Sequence, residues 1–403
     1  MRTRYLFLLI LPGVFPLGSA AQTIGEANLL QEVERHSPGL QSAAATARSN
    51  QIEARTGNTL PNPELEYIHS WGSSGAVGED EFTATQGFDF PTAYVQRTRA
   101  ARAREDAAQA SYRQVRMETL LQARLAVQEI LYLQKRIEVD SLRLADAEFA
   151  RQIARVRAQA GDITSIEENR IEFQSLSARN NLTRTRMALE TALTSLSSLS
   201  GMTSSSSLSG LSLGADVQIE PMPLPALAPL AQVLEQAYAA DPALSAARAS
   251  GQAAQADRRL AVSLALPKFS AGYKYSSSDG AKFHGVIAGM SIPLFESRNT
   301  VRLARARQAE VEATTLALET NLTADLTAKY SQACRLEAMS RTYQSGGDGA
   351  GKSALLRKAL QEGSLTILEY FTELDPVYRH MDEINELLYN YRSLLIELNK
   401  YAL

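Results

Sequence analysis

Two periodicities share the chain. Over four short stretches the large apolar residues fall on every second position, as in strands with one wet and one dry face. From Lys268 to Ser276 the odd positions Phe269, Ala271, Tyr273 and Tyr275 are mostly large and apolar. The even positions Lys268, Ser270, Gly272, Lys274 and Ser276 are small or polar. Glu64 to Trp71 repeats the pattern, with Leu65, Tyr67, His69 and Trp71 as the bulkier face. Phe82 to Phe90 and Phe283 to Ile292 complete four predicted strands. Gly72 to Glu81 and Ser277 to Ala281, rich in Gly, Ser and Asp, are expected as exposed hairpin loops.

The remaining long stretches are Ala-rich and helical. Tyr94 to Ala160 has 67 residues and Glu296 to Gln361 has 66, so each predicts a helix about 100 Å long. Thr164 to Leu199 and Leu365 to Lys400 read as returning helices, Ser37 to Thr59 and Asp241 to Ala265 as opening ones. Stacked end to end, a returning and an opening helix match one long helix. That is the requirement for a uniform wall of antiparallel coiled helices, in which the many alanines let backbones approach closely.

Four anchors recur in one order at a spacing of just over 200 residues. Ser37-Pro38-Gly39-Leu40 matches Asp241-Pro242-Ala243-Leu244, in each case a capping residue before a proline at the first helical position. Leu60-Pro61-Asn62-Pro63-Glu64-Leu65 matches Ala265-Leu266-Pro267-Lys268-Phe269, and Phe88-Asp89-Phe90-Pro91 matches Met290-Ser291-Ile292-Pro293. Gly161-Asp162-Ile163-Thr164-Ser165-Ile166-Glu167 matches Gly363-Ser364-Leu365-Thr366-Ile367-Leu368-Glu369. The chain is an internal duplication. We divide it into a leader (1–21), a first repeat (22–200), a Ser/Gly/Pro-rich linker (201–228) and a second repeat (229–403).

The leader changes the picture most. Arg2 and Arg4 precede the apolar run Tyr5 to Val14, and Gly18-Ser19-Ala20-Ala21 supplies small residues, so cleavage is expected after Ala20 or Ala21. Beyond it no segment is apolar for long enough to be a membrane helix. An exported chain of this kind spans a membrane only as a closed barrel. Four strands are too few, since the smallest outer-membrane barrels use eight; two chains would give eight and three would give twelve. With 403 residues, 45% apolar, 21% charged and a formal net charge of −3, the chain has neither the composition of a disordered tail nor a nucleic-acid footprint. Its one cysteine, Cys334, has no internal disulfide partner and is expected to pack within a helix.

The Pro-terminated strand before a basic Ala-rich helix, the duplicated Gly-x-[Ile/Leu]-Thr-x-[Ile/Leu]-Glu turn and the Leu-Pro-Asn-Pro-x-Leu opening together resemble the TolC-type outer-membrane efflux family. The resemblance covers nearly the whole mature chain. It implies a mainly α protein with a small β part: a trimer with a twelve-stranded β-barrel in the outer membrane of a Gram-negative bacterium and a long helical α-barrel in the periplasm. It also implies an inner-membrane pump of the RND type, joined through a periplasmic adaptor (membrane fusion) protein, and contact with outer-membrane lipid. The compact length, short loops and Leu-Pro-Asn-Pro opening look most like the heavy-metal efflux branch, with drug efflux next. A duct for type I protein secretion and a periplasmic coiled-coil adaptor are the other readings. The full-length duplication argues against the adaptor.

The turns around Gly161 and Gly363 are the leading site candidates. Each glycine suits the left-handed residue that ends a helix, and Thr164 to Glu167 and Thr366 to Glu369 read as capping boxes. Glu167 and Glu369 therefore have a plain structural role available. The functional reading makes Gly161, Asp162, Thr164, Gly363, Ser364 and Thr366 the periplasmic tip that an adaptor grips. By resemblance, the first position of an acidic constriction falls on Glu369. Its second falls on Thr372, a departure, although Glu373 lies on the same helical face. The positions of the family's polar lock fall on Ile166, Leu360 and Leu365. Gly346, Gly347, Gly349 and Gly351 lie within the second long helix, where each costs about 1 kcal/mol against alanine; they are expected to act as a hinge or to form a passive irregularity. The run Gly346 to Ser353 also spells a phosphate-binding loop, Gly-x4-Gly-Lys-Ser. Helix rather than strand is predicted ahead of it, so no nucleotide is expected. His36, His69, His284 and His380 fall in four different elements. No enzyme, cofactor or metal site is expected.

Overall fold

The computed structural model describes residues 23–72, 78–201, 218–293, 295, 298–344 and 349–402. The leader and most of the linker lie outside that set. Each repeat runs through the same elements. The first has β1 (Thr23–Gly25), α1 (Glu26–His36), α2 (Pro38–Arg55), β2 (Glu64–Ser70), β3 (Glu79–Phe88), α3 (Pro91–Ala160) and α4 (Ser165–Ser200). The second has α5 (Leu230–Ala240), α6 (Pro242–Leu264), β5 (Lys268–Ser278), β6 (Ala281–Ser291), α7 (Thr300–Gln344), α8 (Gly349–Gln361) and α9 (Ile367–Leu398), closed by a 3-10 turn at Lys400–Ala402; ahead of it β4 (Gln218–Glu220), the counterpart of β1, lies inside the stretch expected as linker.

Helix starts follow local chemistry. Pro38, Pro91 and Pro242 stand in the first turns of α2, α3 and α6, where a missing N–H is harmless and φ is already helical. This is why α3 begins at Pro91, ahead of the expected Tyr94. Asp241 caps α6 by accepting the Leu244 N–H at 3.0 Å. Other boundaries also move: α2 stops at Arg55 and not Thr59, and α7 is first described as helix at Thr300 and not Glu296.

The four long strands form one antiparallel sheet in the order β2-β3-β5-β6, with β2 and β6 each paired on one side only. Register aligns Tyr67, Phe82, Tyr275 and His284 in one row and Leu65, Ala84, Tyr273 and Val286 in the next row on that face. The opposite face carries Glu66, Thr83 and Lys274, and Lys274 Nζ meets Glu81 at 2.5 Å. The expected five-residue loop Ser277 to Ala281 is shorter in the structure. Only Asp279 (φ 49°) and Gly280 (φ 78°) turn the chain, the left-handed pair of a two-residue hairpin, so both strands run further than the alternation suggested.

In the helical layer, α3 is the central stave. It packs against α2 and α4 and against α6 and α9; α7 packs on α6 and α9, and α8 on α9. At the waist, Leu29 and Val33 of α1 bury against Val127 and Ile130 of α3 and Leu193 and Leu196 of α4. Each such side chain contributes about 1.5–3 kcal/mol. Here β1 pairs in parallel with β4, Thr23 opposite Gln218, while buried Glu26 takes Arg124 Nε at 2.9 Å and the Met222 N–H at 2.6 Å. Among the described residues no helix is long and apolar enough to cross a membrane. Cys334, expected to be packed, is exposed on α7, because the helix turns Ala333 and not its neighbour into the core.

Candidate functional site

Both long helices end in the same local structure. Gly161 (φ 80°) and Gly363 (φ 76°) take the left-handed conformation. The Gly161 N–H bonds Ala158 O at 3.1 Å and the Asp162 N–H bonds Arg157 O at 2.8 Å. In the second copy, Gly363 bonds Leu360 O at 3.2 Å and Ser364 bonds Ala359 O at 2.9 Å. These paired bonds satisfy carbonyls that a helix end leaves open. Three residues on, Thr164 Oγ1 accepts the Glu167 N–H at 3.3 Å while Glu167 Oε2 accepts the Thr164 N–H at 2.9 Å. Thr366 and Glu369 do the same at 3.2 and 2.8 Å. The main-chain N–H of each threonine holds its glutamate carboxyl below the ordinary carboxylate range. The capping reading of both glutamates is thus realised.

Asp162, Thr164, Ser364 and Thr366 are all exposed. The fold brings the two turns together: a groove of about 1000 Å³ between α4 and α9 is lined by Asp162, Ile163 and Glu167 from one and Thr366, Ile367 and Leu368 from the other. Arg157 and Arg170 add positive charge to its wall. Glu369 and Glu373 are exposed on α9, and Thr372 returns its hydroxyl to Leu368 O at 2.9 Å. Ile166 is 82% exposed at the turn, whereas Leu360 is buried.

Of the glycine cluster, Gly346 and Gly347 lie outside the described residues. Gly349 and Gly351 stand in the first turn of α8. Gly349 is buried, and a Cβ there would come within 2.6 Å of Met381 Cγ and 3.6 Å of Val377 Cγ1. Its described role is close approach of α8 to α9. The phosphate-loop spelling is not built as one: α7 is the described element that precedes it, Gly349 to Ser353 are helical, and Ser353 gives its buried hydroxyl to Asp146.

Sequence reasoning missed the polar cluster above the turns. Asp146 of α3 is buried and accepts Ser353 and Arg357 of α8 and Tyr378 of α9, with Arg357 Nε at 2.9 Å. Asp140, also buried, takes Thr185 Oγ1 at 2.7 Å and Arg143 Nη1 at 3.0 Å, and Arg143 continues to Asp382 at 2.6 Å. Burial and the Asp146 charge hold the Tyr370 and Tyr378 hydroxyls well above the ordinary phenol value. A signal existed: Asp146 falls on the helical stripe otherwise made by Val139, Ala150 and Ala154. Among the described residues no three His, Cys, Asp or Glu side chains gather into a metal-holding group.

The family model of the outer membrane efflux protein matches residues 29–202 and 233–402, once in each repeat. No curated protein matches the chain. Among solved structures it is similar to a membrane protein from Pseudomonas aeruginosa, at 14% identity and a TM-score of 0.75, covering 93% of both chains. It is also similar to the Campylobacter jejuni CmeC outer membrane channel, at 13% identity and 0.74, covering 93% of this chain and 85% of that one. The outer membrane protein VceC of Vibrio cholerae gives 16% and 0.73, covering 93% and 94%. At these identities the likeness is one of fold.

Proposed function

Because the chain belongs to the outer membrane efflux protein family, we propose that it is the passive exit duct of a tripartite efflux pump, loaded by an inner-membrane RND-type pump through a periplasmic adaptor. It is an outer-membrane channel protein and not an enzyme. The carrying observation is the family match in both repeats, joined to a sheet whose β2 and β6 edges pair on one side only. Three chains close that sheet into twelve strands, with Phe269, Tyr273 and Tyr275 toward lipid and Lys268, Ser270 and Lys274 toward water. Mass measurement in detergent is expected to give a trimer; a folded monomeric barrel would overturn this assembly.

The adaptor grips the tip at Gly161, Asp162, Thr164, Gly363, Ser364 and Thr366. The shared groove and the exposure of its polar residues support that reading. Photo-crosslinkers at Asp162 and Ser364 should capture the adaptor, and capture only from positions near the sheet would refute it. Glu369 and Glu373 line the constriction, where three symmetric copies favour cations over anions. Planar-bilayer recordings of Glu369→Gln with Glu373→Gln should lose cation preference; unchanged selectivity leaves Glu369 its capping role alone. The cargo is metal cations or small toxic compounds. The heavy-metal reading rests on the resemblance of the compact length, short loops and Leu-Pro-Asn-Pro opening to that branch. A deletion strain with unaltered metal tolerance would remove it.

A further inference from the structure

The two long helices open below the sheet with the same spelling. Arg99-Ala100-Ala101-Arg102-Ala103-Arg104 of α3 recurs as Arg302-Leu303-Ala304-Arg305-Ala306-Arg307 of α7. From Pro91 to Arg104, and from Thr300 to Arg307, there is no acidic residue. In a helix the first two arginines of such a run share a face and the third lies on the opposite one.

The third arginine of each run turns toward the axis of the wall. Arg104 and Arg307 line a groove of about 1150 Å³ whose sides come from α2, α3, α6 and α7 together. Four adjacent staves share one hollow only on the concave side of their wall. Arg104 also pairs with Asp257 of α6 at 2.7 Å. Two turns nearer the sheet on the same face, Arg97 pairs with Asp89. Asp89 follows Phe88, which stands opposite Phe269 in a row of the lipid face, and so turns to the water side.

Arg99, Arg102, Arg302 and Arg305 therefore point outward. All four are exposed, and none has a salt-bridge partner among the described residues. Arg259 of α6 joins them: it is exposed, while Ala254, Asp257 and Ala261 put the groove on the other side of that helix. Each of the five stands within about 17 Å of the helix end that meets the sheet. Nearer the sheet on the same side are exposed apolar residues. Val95, 51% exposed, is one turn above Arg99, and Val262, 45% exposed, is one turn above Arg259. Apolar side chains beside the hydrocarbon, with cations a turn further out, are the layering of a membrane interface.

We propose that these outward arginines form a basic collar that binds the phosphates of anionic phospholipid in the periplasmic leaflet. Charge complementarity selects that occupant, since five arginines per chain meet the headgroups with no acid in either run. The guanidinium fork matches phosphate oxygens in particular. Phosphates of the outer leaflet lie at the other end of the sheet, by the Asp279–Gly280 turn, out of reach. The inference rests on the trimeric-barrel reading, which insertion of wild type into zwitterionic vesicles checks separately.

The test titrates the trimer in detergent with phosphatidylglycerol and, separately, phosphatidylcholine, counting bound lipid by native mass spectrometry. Wild type is expected to retain phosphatidylglycerol at the lower concentration. Arg99→Gln with Arg102→Gln, and Arg302→Gln with Arg305→Gln, should each raise its half-saturation concentration about twentyfold, at roughly fivefold per arginine. Phosphatidylcholine binding should stay as it is. Arg307→Gln removes the same charge from the inward face and should change neither. If a double variant fails to assemble, Arg305→Gln alone takes its place, with about a fivefold rise. No preference for phosphatidylglycerol in wild type overturns the collar. So does an equal rise in Arg305→Gln and Arg307→Gln, which would be an effect of net charge alone. Unchanged lipid binding in the double variants, with loss of binding to cell-wall sacculi, would assign the arginines to the wall polymer and overturn it too. A wild-type chain that enters no vesicle refutes the barrel reading, and the collar with it.

Discussion

In the first repeat one helix of 70 residues, α3, runs without interruption to its turn. In the second, the corresponding stretch is described as α7, of 45 residues, and α8, of 13. The turns that follow are the same in every bond. Counted back from the turn glycines, Gly349 stands where α3 has Ala147, and Ser353 where it has Arg151. The first hairpin presents Ala147 and Arg151 there, with the buried Asp146 beside them; the second needs a glycine at Met381 and a hydroxyl aimed at Asp146. Duplication preserved what is local, a cap and a left-handed glycine. What differs is how each copy is fastened to the other.

Removing that fastening should break the comparison most strongly. Asp146→Ala leaves Arg357, Tyr378 and Ser353 facing an empty site and should cost about 3 kcal/mol, the lower end for a buried pair because Arg357 reaches solvent. Hydrogen exchange should rise across α8 and the lower part of α9 while the α3–α4 turn stays protected. Equal loosening of both hairpins would make them one cooperative unit. Next in size, Gly349→Leu overpacks the α8–α9 contact and should cost about 1–3 kcal/mol in thermal unfolding. The converse change, Ala147→Gly, should cost about 1 kcal/mol through helix propensity. Tolerance of leucine at 349 would mean that Met381 moves aside freely.

The turns themselves should respond alike. Thr164→Ala and Thr366→Ala each remove one cap, worth about 1 kcal/mol, and should speed exchange of the Glu167 and Glu369 amides equally. Unequal responses would show that one turn is held by something beyond its own cap. The smallest effect is that of acid. Both glutamates titrate below the ordinary value of 4.5 because the folded turn binds their charged form. Their stabilisation is therefore complete above that value and is lost as pH falls through the lowered one. Protection of the two turns, taken as exchange relative to the intrinsic rate at each pH, should be flat from pH 8 to about 5 and fall only in stronger acid. A step near neutrality would assign control to another group.

The same division explains what could be read from the sequence. The turns were legible because each is written within about seven residues: glycine for the left-handed end, threonine and glutamate for the cap. The faces of β5 were legible because alternation fixes them. The two-residue turn was not, since Ser277 and Ser278 look like loop residues although they continue β5. The Asp146 cluster was hidden for another reason. Its partners lie 207, 211 and 232 residues away, and only a packed wall shows that an aspartate on an alanine stripe faces an arginine, a serine and a tyrosine. Gly349 was visible as a helix-weakening residue, but the side chain that requires it, Met381, belongs to another helix.

The pairing of β1 with β4 bears on the continuity of the chain. A three-residue strand precedes the helices of each repeat, and the two strands lie side by side in parallel, in register. The starting points of the two halves are thus sewn to each other and not only to the chain between them. The covalent link from Gly201 to Gln218 then adds little beyond raising local concentration. A gene cut there, encoding two exported polypeptides, should still yield halves that join through the same strand pairing.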